Sequence, residues 1–115
     1  EAFHYRTERK SLLRKLYIRN TSNPYICRMC NLDTSKIHPD LESLIEVHHL
    51  LPLASNIRNN EDGTSLTDVV GLCPNCHRIT HKIYSIYLKS KKQDDFNDDD
   101  EARNLFNKIC IDVRS

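Results

Sequence analysis

No apolar run in this 115-residue chain approaches the length that spans a bilayer. The chain also lacks an N-terminal hydrophobic region of the secretory type, so a soluble, cytoplasmic protein is expected. The initiator methionine is missing, as in a processed or excised piece of a longer protein. Internal repeats are absent, and glycine occurs only twice. A chain this short forms one small domain, 1–115, whose modest core would benefit from a structural metal.

A net charge of +1 excludes little, because it hides an asymmetry: residues 1–93 carry 14 Lys or Arg against 9 acids, and residues 94–115 carry 3 against 7. The first segment can present a basic face to a polyanion.

Cysteine and histidine are abundant. Glu46 to Lys82 holds four of the six histidines and two of the five cysteines. Cys27-x-x-Cys30 and Cys73-x-x-Cys76, in a chain read as non-secreted, fit a zinc site better than a disulfide framework. Four thiolates complete a tetrahedron with no open position, the pattern of structural zinc (Zn2+) and not of a catalytic ion. Cys110 is left over. Its neighbours Leu105, Phe106, Ile109 and Val113 fall on one helical face, which makes it a buried, inert thiol.

Residues 4–19 lack Gly and Pro and space Leu12, Leu13, Leu16 and Tyr17 as an amphipathic helix, with Arg6, Arg9, Lys10, Arg14, Lys15 and Arg19 on its other faces. Turn formers at 20–24 end it, and residues 25–31 read as a zinc knuckle in which Asn31 stands where glycine often eases the turn. His38, before Pro39, has no assigned role. Residues 44–47 suit a strand running into His48-His49 and closed by Pro52, residues 55–65 a polar loop, and Val69 to Leu72 the returning strand. Pro74 suits the first turn of a helix reaching about Ser90, with Ile79, Ile83 and Ile86 on one stripe and His77, His81, Tyr84 and Leu88 on another. Residues 89–101 read as a charged, solvated linker. Asp98 and Glu101 can form a capping box for a last helix that packs on the domain.

The histidines make a second, harder site. His77 and His81, four apart on the expected helix, have Cβ atoms about 6 Å apart and can share an ion or a phosphate. Adjacent residues of a regular strand point to opposite faces, so His48 and His49 can serve one site only if the strand twists or ends there. With His48 joining His77 and His81 on a divalent cation, His49 is left to take a proton from water near neutral pH. The alternative places His77 on the zinc in place of a cysteine and leaves the others on the surface.

These motifs in this order, Cys-x-x-Cys, then Glu46-Val-His-His-Leu-Leu-Pro-Leu53, then Asp68-Val-Val-Gly-Leu-Cys-Pro-Asn-Cys-His-Arg-Ile-Thr-His81, resemble the HNH endonucleases. The branch is the one whose ββα-metal core is clamped by a four-cysteine zinc, similar to the HNH domains of modification-dependent restriction endonucleases. The match covers residues 25–82. It implies an α+β, treble-clef-like core at 25–92, flanked by a basic N-terminal helix (1–24) and an acidic linker with a C-terminal helix (93–115).

The resemblance also implies roles. His49 stands where the family has its general base, His48 and His77 where it has ligands to the catalytic cation, and His81 at a further ligand of some members. Asp68 stands where many members have the asparagine that braces the loop behind the base; aspartate accepts the same hydrogen bonds but cannot donate as an amide does. The usual Gly-Gly after the Pro-Leu segment is replaced by Ser55-Asn56, which changes the loop's shape more than the chemistry.

The function expected is metal-dependent hydrolysis of a nucleic-acid backbone, most simply double-stranded DNA, and the resemblance implies 5′-phosphate and 3′-hydroxyl ends. The cation would be magnesium or manganese (Mg2+ or Mn2+), with nickel or zinc as the alternatives that three imidazoles favour. Arg28, Arg78 and Lys82 are candidates for phosphate contacts that position the strand without reading sequence. Base specificity would come from another domain, a partner subunit or a homodimer, and restriction or defence against foreign DNA is the role suggested by analogy. Two alternatives stay open: a non-catalytic zinc module that binds nucleic acid or protein, and an HNH nuclease acting on RNA.

Overall fold

The computed structural model describes residues 12–51 and 66–115. The first half of the expected N-terminal helix with Arg6, Arg9 and Lys10, the strand stop at Pro52, and the loop at 55–65 with Ser55-Asn56 lie outside the described residues.

Residues 12–20 are helical (α1). Their apolar stripe is narrower than the spacing implies: Leu13 and Tyr17, one turn apart, are buried with Val47 and Val69, whereas Leu12 and Leu16 are exposed. Arg14 serves the fold, since its guanidinium donates to the carbonyls of Ser43 and Ile45, both at 3.2 Å, and so ties α1 to the segment entering the sheet.

That sheet is an antiparallel pair, β1 (Glu46–His49) and β2 (Val69–Leu72), in the register Glu46↔Leu72, Val47↔Gly71, His48↔Val70 and His49↔Val69. The first strand begins two residues later than its β-branched composition predicts. Alternation sorts its side chains: Glu46 and His48 face the following helix, and Val47 faces α1. Gly71 permits the close approach of α1, because a Cβ there would lie 2.9 Å from both Ile45 Cγ1 and Tyr17 Cε2.

Helix α2 (Pro74–Ser90) starts where Pro74 marks its first turn, and the Cys73 thiol serves as its N-cap by accepting from the Cys76 amide at 3.4 Å. Its buried side is Cys76, Thr80 and Tyr84, with Ile83, Tyr87 and Leu88 packed beside them. Of the isoleucine stripe, Ile83 packs against the core, whereas Ile79 and Ile86 are exposed.

Helix α3 (Asp99–Arg114) is capped by Asp98, whose carboxylate accepts from the Glu101 amide at 2.8 Å. The reciprocal half of the box is displaced by one residue: the Glu101 carboxylate accepts from the Asn97 amide at 2.6 Å and from the Tyr87 hydroxyl at 2.7 Å, which links α3 to α2. The connection before it is more than a solvated linker. Phe96 is buried between the rings of Tyr84 and Tyr87 and closes a core with Ala102, Phe106, Ile109 and Cys110. Cys110 is thus the buried thiol expected, its acidity further weakened by burial. The architecture is α+β, a small two-stranded sheet with helices and a cysteine cluster, as the sequence predicts for a zinc-stabilised ββα core.

Candidate metal centres

The first knuckle is a tight turn in which the Asn31 amide donates to the Cys27 carbonyl at 2.8 Å, with Asn31 at a positive φ of 67°. Asparagine tolerates that left-handed backbone, which is how the turn closes without glycine. The knuckle is anchored on the sheet by the Arg28 amide, which donates to the Gly71 carbonyl at 3.0 Å, and on α3 by Arg114, which donates to the carbonyls of Arg28 and Met29. The second knuckle runs from the end of β2 into α2. Together they bring one sulfur from each of Cys27, Cys30, Cys73 and Cys76 within 4.8 Å of one another.

Four soft donors at that spacing fit a structural zinc by number and chemistry. Burial pushes the thiols of Cys73 and Cys76 up; Cys27, although burial opposes it, is held below its ordinary value by backbone hydrogen bonds at Cys30, Cys73 and Met29. A dication is the natural compensation for thiolates packed so closely. Cys27, Cys73 and Cys76 are buried and Cys30 is exposed.

The second cluster lies across β1 and α2. Ligand atoms of His48, His77 and His81 also fall within 4.8 Å of one another. His77 and His81, one helical turn apart, face each other with Nε2 atoms 3.1 Å apart, and His48 meets both edge-on with ring centroids 5.3 and 5.2 Å away. The four cysteine sulfurs converge without His77, whose ring lies with His48 and His81.

His48 is the buried member. Burial and the neighbouring His77, His81 and His49 hold its imidazole down at about 3, so it is neutral and able to donate a lone pair. One of its faces stacks on Phe106 of α3 at 5.7 Å. Its Nε2 lies 3.4 Å from the Tyr84 hydroxyl, and its buried Nδ1 has no hydrogen-bond partner among the described residues. A buried nitrogen without a partner, on a ring that meets two further imidazoles, fits a cation site.

His49 does not join that group. It is buried at the last position of β1, where the strand ends. Just beyond it the Leu50 amide donates to the Asp68 carbonyl at 3.0 Å. The Asp68 carboxylate accepts from Arg103 of α3 at 2.8 Å, and the same guanidinium reaches the Thr67 carbonyl at 3.1 Å and Asp99 at 2.6 Å.

Three contributors were not read from the sequence. Glu46 accepts a 2.8 Å hydrogen bond from His77 Nδ1, and its position two residues before His48 on a strand is the pattern that could have shown it. Arg103 and Phe106 carry no such signal, because only the packing of α3 brings them to the site. Of the basic residues expected to meet phosphate, Arg78 and Lys82 line a cleft of about 680 Å³ with Glu46, His77 and His81, while Arg28 is not among its lining residues.

No family model and no solved structure matches the chain. Over 90 residues it is 33% identical to the type IV methyl-directed restriction enzyme EcoKMcrA of Escherichia coli (strain K12), a stretch covering 70% of this chain and 28% of that protein. The chain is HNH-like. The ordered cysteine and histidine motifs, the ββα arrangement and this relative agree on that. The HNH-like chain spans less than a third of that relative's length. Among the described residues, no helix is long and apolar enough to cross a membrane.

Proposed function

We propose that the protein is a metal-dependent HNH endonuclease that hydrolyses DNA phosphodiester bonds in restriction or defence, with residues 1–115 acting as one nuclease module. The observation that carries this reading is the convergence of His48, His77 and His81 beside a cleft bordered by Arg78 and Lys82, held apart from a separate four-thiolate centre. A binding module needs the thiolates alone. Similarity to a methyl-directed restriction enzyme supports DNA as the substrate and defence as the role.

In this reading Cys27, Cys30, Cys73 and Cys76 hold structural zinc, and His48, His77 and His81 hold a divalent cation, Mg2+, Mn2+, Ni2+ or Zn2+. Such a cation, when bound, neutralises charge on the scissile phosphate and its leaving oxygen. His49 accepts the proton of the attacking water. Asp68, clamped by Arg103, keeps the backbone after His49 in place, and Arg78 and Lys82 draw the strand into the cleft. Selection of sequence or modification falls to a domain, subunit or second copy outside this chain.

The test is plasmid nicking by the wild type and His49→Ala, after chelation and with each metal restored. Wild type should nick only with a divalent cation, and His49→Ala should lose about 10²- to 10⁴-fold in rate. Equal cleavage by the variant would remove His49 from the mechanism. Binding should weaken steeply with salt, as phosphate contacts require.

A further inference from the structure

We infer that Glu46 and Tyr84 are positioning residues that fix the tautomers of the histidine cluster, so that His48 presents Nδ1 to the cation while His77 presents Nε2. The inference rests on the three-histidine reading above and adds which nitrogen each ring offers and what decides it.

At His77 the logic is that of donors and acceptors. An ionised carboxylate only accepts, so the 2.8 Å contact with Glu46 Oε1 places the proton on Nδ1 and leaves the Nε2 lone pair directed at the cluster, 3.1 Å from His81 Nε2. A carboxylate behind a ligating imidazole also raises the basicity of the nitrogen that binds the metal. Glu46 is itself half exposed and lies behind the ring, an outer partner and not one of the converging groups.

At His48 the decision is made by a phenol. Tyr84 has one proton, and it is committed to the Leu50 carbonyl at 2.9 Å. Toward His48 Nε2, 3.4 Å away, the same oxygen can therefore only accept, which places the imidazole proton on Nε2. The nitrogen left with a lone pair is Nδ1, the buried atom with no partner among the described residues. Because Tyr84 bonds Leu50, it also couples the His48 ring to the backbone just after His49.

The experiment is long-range proton–nitrogen NMR of the imidazoles in the full chain carrying one equivalent of zinc, followed on adding a second equivalent of Zn2+, with its affinity measured by chelator competition. Before the second equivalent, His77 should show N–H at Nδ1 and His48 at Nε2. On binding, the metal-type shift should appear at His48 Nδ1 and His77 Nε2. Glu46→Ala should weaken the second zinc about 10- to 100-fold, with Glu46→Gln recovering part because its amide oxygen still accepts. Tyr84→Phe should give His48 as a tautomer mixture while the first zinc is retained. A metal-type shift at His48 Nε2, or Glu46→Ala binding within twofold of wild type, would overturn the inference while leaving the three-histidine centre standing. A wild type that takes no second zinc, with unmoved histidine signals, would refute the centre and the inference together.

Discussion

Replacing Gly71 by alanine isolates the packing of α1 on the sheet. The position lies in ordinary strand backbone, so alanine meets no dihedral penalty, and by shrinking the unfolded ensemble it would by itself stabilise by about 0.4–1 kcal/mol. Against this, its methyl would lie 2.9 Å from Ile45 Cγ1 and Tyr17 Cε2 and 3.0 Å from the Tyr17 oxygen, where carbon contacts settle at about 3.5–4.0 Å. Neither neighbour can swing into solvent, since Ile45 is 2% and Tyr17 4% exposed. Overpacking of this kind costs about 1–3 kcal/mol, so the net expectation is destabilisation of about 1–2 kcal/mol. Urea unfolding at fixed free zinc should show a lower midpoint with unchanged slope. Tyr17→Leu, which removes the ring, should cost less in the Gly71→Ala background than in wild type, with a coupling of at least about 0.5 kcal/mol. Gly71→Ala as stable as wild type, or strict additivity with Tyr17→Leu, would refute a steric role for this glycine.

Arg103→Met removes bonds to Asp68, Thr67 and Asp99 from a partly exposed site. It should cost about 1–2 kcal/mol and speed exchange of the Leu50 amide beyond that global loss, read by hydrogen exchange. Glu101 is held below the usual carboxylate range first by the Tyr87 hydroxyl and then by the Asn97 amide, so its contribution is whole above the ordinary glutamate value and lost as pH falls through the depressed one. Acid unfolding of Glu101→Gln should lack that part of the pH dependence. Stripping zinc with a strong chelator, or Cys73→Ser, should collapse near-UV circular dichroism and unfold the chain, since four-thiolate sites supply folding energy directly; a fully folded, zinc-free chain would contradict the structural role of the thiolates.

Much of the frame was legible because its signals are local. Paired Cys-x-x-Cys spacing, Pro74 after Cys73 and Asp98 before Glu101 each act within a few residues, and the second strand and both later helices begin where these signals place them. Hydrophobic spacing names the isoleucine stripe of α2 without saying whether it faces the core, and only the packing of the helix leaves Ile79 and Ile86 exposed. The acids around Phe96 spell a solvated linker because they act locally, while the Tyr84 and Tyr87 rings that bury it lie on another element.

What the sequence by itself determined is the inventory: two donor sets of different softness, carried by motifs whose order resembles one family. Which atoms those donors offer was decided only by tertiary structure. His77 obtains its proton position from a strand residue 31 positions away, His48 from a tyrosine 36 positions away, and Asp68 its cationic partner from a helix 35 positions on. A hydrogen bond acts over about 3 Å of space whatever the separation along the chain, and spacing in sequence does not report it.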